Sequence, residues 1–342
     1  MKKIHVFFTG GTIAMRTNAE GLLVPAVSGD ELTASIPALK EIAEISSTQV
    51  SNLPSAQMSP NKTLELRQHI IDTLTDESIA GIVIVHGTDT LEETAFLLDA
   101  SLGDNQLHNK PVVLTGAMRS NDQLSSDGMA NLLAAVRVTS DDDSLKRGVM
   151  VCLNQEIHSA RYVRKMDTSS LHTFCSPQFT ALGRISHNQT VQYLVPAQRF
   201  TPHIDVSRET SELPRVDIIN MYAGADASLL HASIKLGAQA IVVQAVGASS
   251  VNLELYDGIV QAIEQGVAVV IASRSPLGLC EPVYGYKGGG QTLAELGTCF
   301  AHDLPAHKAR LYTQLLLSRS QHNNDDAIDH IQKGFQQLKL PH

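Results

Sequence analysis

Short uninterrupted apolar runs alternate with segments of helical spacing along the first half of the chain. Ile4–Thr9 reads as a strand, and so do Gly81–His86 (GIVIVH), Pro111–Gly116 (PVVLTG) and Gly148–Leu153 (GVMVCL). Between them, Asn61–Thr75 sets Leu64, Ile70, Ile71 and Leu74 near helical spacing, and Thr90–Leu102 and Gly128–Thr139 read as helices too. A strand with no polar alternation is one covered on both faces. Strands alternating with helices predict a parallel sheet with helices on either side.

Residues 188–214 interrupt this rhythm. Pro196, Pro202 and Pro214 stand there among polar and mixed-charge residues, which predicts a linker, placed at 191–214. The alternation then resumes with strands at Val216–Met221, Ala240–Ala245 and Ala268–Ser273 and helices near Asp226–Leu236 and Leu255–Gly266. Two last helices are expected over Pro305–Ser318 and Asp325–Leu338. The pattern predicts two α/β domains, an N-terminal one over 1–190 and a smaller C-terminal one over 215–342. No internal repeat or low-complexity tract stands out.

Composition narrows the partners. Hydrophobic residues make up 43% and charged residues 18% of the 342 residues, as in a globular protein. The net charge is −9 and there is no Lys/Arg-rich run, which argues against nucleic acid or an anionic membrane as the main partner. Lys2 and Lys3 precede an apolar run that is interrupted by His5 and stops at Thr9-Gly10-Gly11, too short for a signal peptide. No apolar stretch is long enough to span a bilayer. Cys152, Cys175, Cys280 and Cys299 are widely spaced and form no Cys-x-x-Cys, so buried free thiols are expected. Together these features predict a cytoplasmic protein.

Ligands of an open parallel sheet bind beyond the carboxyl ends of its strands, so the residues just after each strand matter most. Thr9-Gly10-Gly11-Thr12 comes after the first. Two glycines allow a sharp turn that exposes backbone N–H groups, and the Thr12 hydroxyl would stand beside them. His86-Gly87-Thr88-Asp89-Thr90, then Glu92 and Glu93, come after GIVIVH; Thr115-Gly116-Ala117-Met118-Arg119-Ser120 come after PVVLTG. Each motif has a plainer reading. Gly-Gly after a strand is commonly just a turn, and this one lacks the Lys-Ser/Thr of a phosphate loop. His86 is expected to be structural. Lys287-Gly288-Gly289-Gly290 reads as a flexible loop, and Asp141-Asp142-Asp143 as a solvated one. Neither HExxH nor GxSxG is present, and no His/Cys spacing points to a metal site. Cys175 with His172 makes a weak case for a thiol enzyme.

The combination is more specific than its parts. TGGTIA (9–14) and HGTDTLEETA (86–95) together resemble the two signatures of the bacterial-type asparaginase/glutaminase family, closest in kind to its cytoplasmic type I members. The likeness continues through GAMRS (116–120), SSDGMANL (125–132) and ARYVRKMDTSSLHTFCSP (160–177), and more weakly through VGASS (246–250) and KARLYTQLLL (308–317). It implies a flavodoxin-like N-terminal domain and hydrolysis of L-asparagine to L-aspartate and ammonia, with no cofactor and no metal. It implies that Thr12 is the nucleophile, that Thr88, Asp89 and Lys165 form the proton relay, and that Ser55, Gly11, Gly87, Asp89 and Ala117 bind substrate. The chemistry suits these residue types. A Thr hydroxyl needs a base, for which a desolvated amine at Lys165 would serve. A carboxylate at Asp89 can face the substrate's α-amino group. Family members are homodimers or homotetramers in which the second domain of one subunit closes the partner's site.

Three positions depart from the family's pattern. A loop Tyr that reaches the nucleophile falls at Leu22, and no Tyr precedes Tyr162. A substrate-contacting Gln falls at Ala56, and a polar residue lent by the neighbouring subunit falls at Ala248. The nucleophile and relay are therefore present while the recognition shell differs. This leaves open a glutaminase-asparaginase, an amidohydrolase of a related small amide, and a catalytically weak amino-acid-binding regulator. The branch acting on charged tRNA is not expected for an acidic chain that opens directly on the catalytic strand.

Overall fold

The computed structural model describes residues 1–25, 27–323 and 327–338. They fall into two compact units, Met1–His203 and Ile204–His342. The first contains strands β1 (Lys2–Phe8), β2 (Met15–Thr17), β3 (Leu23–Pro25), β4 (Ala43–Gln49), β5 (Ile79–Val85), β6 (Val112–Thr115), β7 (Val149–Leu153), β8 (Glu156–Ser159), β9 (Arg164–Lys165), β10 (Phe174–Cys175), β11 (Gly183–Ile185) and β12 (Val191–Tyr193). Eight of them make one sheet in the order β12-β11-β8-β7-β6-β5-β1-β4. The pairs from β4 through β7 are parallel, and those from β7 through β12 antiparallel. In chain order the five parallel strands lie second, first, third, fourth, fifth, the flavodoxin-like arrangement.

Helices α1 (Gly29–Ala34) and α2 (Leu39–Ile42) lead from β1 to β4. α3 (Pro60–Leu74) then crosses to β5, α4 (Leu91–Ser101) and α5 (Asp104–Leu107) to β6, and α6 (Gly128–Ser140) to β7. The start of α3 is written locally: the Ser59 hydroxyl accepts from Lys62 N–H, and Pro60 occupies the first turn, where its missing N–H costs nothing. The apolar strands are the framework. Ile82, Val83, Ile84 and Val85 are completely buried, as are Val112, Val113 and Leu114. Each such side chain contributes about 1.5–3 kcal/mol, against about 1 kcal/mol net for a loop hydrogen bond. The sheet therefore sets where the loops at its carboxyl edge stand.

The stretch expected to be a linker contains β12, which pairs with β11 at the sheet edge. Its polar Val-Gln-Tyr composition suits an edge strand, which buries little and announces itself poorly. Arginines tie down the segment after β12. Arg147 donates to the carbonyls of Val195 and Pro196 and covers the Tyr193 ring, Arg161 donates to Phe200 O, and Arg199 pairs with Asp99 and Asp104.

The second unit carries a parallel sheet ordered β13-β14-β15-β16, from β13 (Val216–Asn220), β14 (Ala240–Ala245), β15 (Ala268–Ser273) and β16 (Cys299–Phe300). Its helices are α7 (Ser228–Lys235), α8 (Leu253–Glu264), α9 (Gly290–Glu295), α10 (Ala306–Asn323) and α11 (Ala327–Gln336). Asp325, the expected start of the last helix, lies outside the described residues. Cys152, Cys280 and Cys299 are buried free thiols, pushed by burial up to about 12, and Cys175 is a half-buried one. No helix among the described residues is long and apolar enough to cross a membrane.

Candidate active site

Four loops meet at the carboxyl edge of the first sheet, where β1 lies between β4 and β5. Beyond the last ladder pairs the backbone keeps them laced: Thr9 N–H donates to Val85 O at 3.0 Å, Leu53 N–H to Thr9 O at 3.0 Å, and His86 N–H to Thr115 O at 2.8 Å. This is the topological switch point of the sheet, the usual place for a ligand.

Gly10 and Gly11 have φ of 111° and 94°, a region that side chains rarely adopt. Space forbids a side chain as well. A Cβ on Gly11 would lie 2.4 Å from Gly87 Cα, and one on Gly87 would lie 2.8 Å from both Cβ and Oγ of Ser55. The Thr9–Thr12 turn thus meets the His86–Asp89 loop backbone to backbone, Gly87 packs on the Ser55 side chain, and Thr12 and Thr88 flank the contact. Thr12 is half-buried in a short 3-10 turn, and its hydroxyl has no intramolecular hydrogen bond among the described residues.

Thr88 is buried, and its Oγ1 accepts from Lys165 Nζ at 2.9 Å. Lys165 Nζ also pairs with Asp89 Oδ1 at 2.6 Å. The lysine side chain is 16% exposed and the aspartate's 69%, so the amine is set in the protein while its counter-charge opens to solvent. Ser55 is buried, its Oγ accepting from Asp89 N–H at 3.1 Å and its carbonyl from the Thr90 hydroxyl at 2.6 Å. Ala117 is buried in the third loop. The Asp127 carboxylate accepts from Met118 and Arg119 N–H, and Asn131 donates to Gly116 O, which fixes that loop to the start of α6.

Lys165 comes from β9, whose partner β10 pairs Phe174 with it. Its own N–H donates to Glu92 Oε2 at 2.9 Å. Glu92 stands in the first turn of α4 and is buried. This contact joins positions 73 residues apart, and the sequence offers no sign of it beyond the Glu92-Glu93 pair. His86 is fully buried. Its Nδ1 lies 2.7 Å from Gly87 O and its Nε2 3.1 Å from the Thr94 hydroxyl, which fits an Nδ1–H tautomer donating to the carbonyl. Burial lowers its pKa to about 4, so the ring is neutral and structural.

A cavity of about 310 Å³ opens against Asp89, Glu92, Lys165, Met166, Asp167 and Thr168. A larger hollow of about 630 Å³ lies by α1, α2 and β4 among Leu39, Lys40, Ala43 and Glu44. It holds none of the loop residues that converge at the switch point, so chemistry and not size marks the site. Leu22 is 60% exposed in the connection between β2 and β3, and Ala56 is also exposed. In the second unit Ala248 precedes Ser249, which donates to Glu281 O, and Ser250, which shares a hydrogen bond with the Tyr286 hydroxyl. Among the described residues no group of three or more His, Cys, Asp or Glu is arranged to hold a metal ion.

Residues 3–198 match the family model "Asparaginase, N-terminal", and residues 215–331 match "Glutaminase/Asparaginase C-terminal domain". The chain is 35% identical to an L-asparaginase of Bacillus licheniformis, over 93% of this chain and 96% of that one. It is 30% identical to a glutaminase-asparaginase of Pseudomonas fluorescens biotype A, over 95% and 89% of the two chains. The crystal structure of a probable cytoplasmic L-asparaginase from Campylobacter jejuni superposes with a TM-score of 0.84 at 32% identity, covering 98% of this chain and 99% of that one. Matching family models in both units, and relatives aligned along nearly the whole length, place this chain in the glutaminase/asparaginase family.

Proposed function

We propose that the protein hydrolyses L-asparagine to L-aspartate and ammonia through a covalent threonine ester. The observation that carries the reading is Lys165 Nζ at 2.9 Å from Thr88 Oγ1 and 2.6 Å from Asp89 Oδ1. An amine, a hydroxyl and a carboxylate in one chain of hydrogen bonds can form a proton path, and the Gly11–Gly87 contact sets the loop of Thr88 against the turn that holds Thr12, which supports the reading. In this reading Thr12 Oγ attacks the side-chain amide carbon. Its proton passes through Thr88 and Lys165 Nζ to the leaving nitrogen. The C–N bond breaks, ammonia departs, and a β-aspartyl ester remains on Thr12. Backbone N–H groups of the glycine turn hold the oxyanion. Water then attacks the ester, giving aspartate and restoring the Thr12 hydroxyl. Asp89 faces the substrate's α-amino group; Ser55 and the Gly11, Gly87 and Ala117 main chain line its remaining polar atoms. A cytoplasmic site of action belongs to the same reading, supported by four unpaired cysteines and by the Campylobacter relative's description.

A second reading makes Thr88 the nucleophile, because it is Thr88 whose hydroxyl touches Lys165. Thr12 is preferred, since its hydroxyl is uncommitted and half exposed while that of Thr88 is buried and engaged. Ammonia release from L-asparagine and L-glutamine tests the whole. Asparagine is expected to win by at least about a hundredfold in kcat/KM, roughly 2.7 kcal/mol, because an added methylene carries the amide carbon past Thr12. Comparable values would favour the glutaminase-asparaginase reading. Thr12→Ala should lose several orders of magnitude in turnover; retention of more than about a tenth excludes it as nucleophile. Mass spectrometry of the quenched reaction should find the adduct on the Thr12 peptide, and an adduct on Thr88 selects the second reading.

A further inference from the structure

Lys165 is held at both ends by one segment. Its Nζ meets Thr88 and Asp89, and its backbone N–H meets Glu92, four residues past Thr88 on the same loop and helix. The strand that carries it, β9, is two residues long and pairs with β10 alone in a two-stranded sheet. Ribbons of that length are unstable by themselves. On the β10 side the register is fixed by the Phe174–Lys165 pair and by Met166 N–H donating to Thr173 O at 2.8 Å. On the other side the Glu92 carboxylate takes the place of a neighbouring strand. A carboxyl oxygen accepts that N–H as a strand carbonyl would. Glu92 itself is buried at the start of α4, where the helix dipole and free N–H groups favour a negative group.

A lysine tip depends on its root. Four rotatable bonds separate the Lys165 amine from its Cα, and the two hydrogen bonds at the tip are made only if that Cα stands at the right distance from Thr88. We propose that Glu92 is a positioning residue for the reaction, acting through its hydrogen bond to the Lys165 backbone rather than through its charge at the reacting atoms. This inference rests on the amide-hydrolysis reading above.

Three variants test it. Glu92→Ala removes the acceptor and should lower kcat by on the order of ten- to a hundredfold, the usual result of misplacing a reacting group by about an ångström. KM should move by less than about threefold, since substrate binding is not what is lost. Glu92→Gln keeps an oxygen that can accept the same N–H and should restore most of that loss with the pH profile of kcat unchanged. Glu92→Asp keeps the charge but falls one methylene short, so it should resemble Ala; it also carries the test if the Ala variant does not fold. Equal losses in Ala and Gln, an Asp variant that behaves as wild type, or a change confined to KM would each overturn the inference. Hydrogen exchange at the Lys165 amide in the unliganded protein gives a readout independent of the reaction. It should quicken in the Ala variant and not in the Gln variant. Unchanged exchange in the Ala variant overturns the anchor. A wild-type protein that releases no ammonia refutes the hydrolysis reading instead, and exchange then decides the anchor by itself.

Discussion

Lys165 and Asp89 are unequal members of an ion pair, and the inequality separates activity from stability. With Asp89 69% exposed, solvent screens the pair, and it contributes about 0–1 kcal/mol at most to folding. The proposed chemistry, by contrast, has no substitute for the amine. Lys165→Met keeps much of the stem's bulk and is expected to abolish ammonia release while shifting urea-denaturation stability by less than about 1 kcal/mol. A Met variant with appreciable turnover would send the proton elsewhere, for example to water beside Asp89. His86 shows the opposite balance: no place in the reaction and a large place in stability. Its pKa, ordinarily 6.5, stands at about 4 because burial penalises the charged ring. Between those values the unfolded chain binds a proton that the folded protein refuses, so stability is complete above about pH 6.5 and declines as the pH falls toward 4. A shift of this size corresponds to about 3 kcal/mol. His86→Gln is expected to remove that share of the decline, read as a flatter stability curve from about pH 7 to about 4.5 than the wild type's. Parallel curves would mean that the ring titrates normally. At this scale the sequence made placement legible where it is written in adjacent letters, as in Thr12 after Gly10-Gly11 and Thr88-Asp89 after a buried strand. Glu92 was not, because its meaning lies in a backbone N–H 73 residues away.

Elements matter here through their ends. The parallel strands were legible because burial on both faces leaves no polar positions, as in the Ile82–Val85 run. β4 was not: its AEISSTQ sequence is mostly polar, since it is an edge strand whose Ser46 and Thr48 hydrogen-bond the ring of His5 on β1. The antiparallel strands β8, β11 and β12 escaped for a similar reason, each being three or four residues long. Missing β4 hides the position of Ser55, whose loop comes after it, and with it the way three loops close on one point. That closure makes a prediction. Gly87 has no room for a Cβ, which would meet Ser55 Cβ and Oγ at 2.8 Å and Gly11 Cα at 3.1 Å. Two of these three atoms belong to neighbours that cannot rotate away, so the loops themselves must part. Gly87→Ala is expected to cost about 1–3 kcal/mol of stability, as overpacking does, and to lower turnover at least about tenfold by separating Thr12 from Thr88. Wild-type turnover together with wild-type stability would show that the loops are not in mutual contact.

At the scale of the whole molecule, the exposure of residues around the candidate site favours a second copy. Small-molecule sites bury roughly 70–90% of their ligand. Here Asp89 is 69% exposed, and Leu22, on the loop after the glycine turn, is 60% exposed. A substrate anchored by two charged groups needs water removed around them if those contacts are to favour one pose. The smaller unit meanwhile exposes side chains that a monomer would gain by covering: Tyr222 at 51%, Tyr286 at 56%, Leu277 at 59% and Val283 at 60%. Aromatic residues of this kind are enriched at subunit interfaces. We therefore propose a homodimer or homotetramer whose full activity needs association, the smaller unit of one copy completing the site of another. Specific activity should fall on dilution over the same concentration range in which sedimentation shows the assembly dissociating, and substrate should move that range downward, because a ligand bound at a shared site stabilises the assembly that forms it. Adding Tyr286→Lys, which sets a charge in the exposed aromatic cluster formed with Tyr284, should shift both curves together to higher concentration. A species that sediments as a monomer throughout and keeps full specific activity would show that one chain completes its own site.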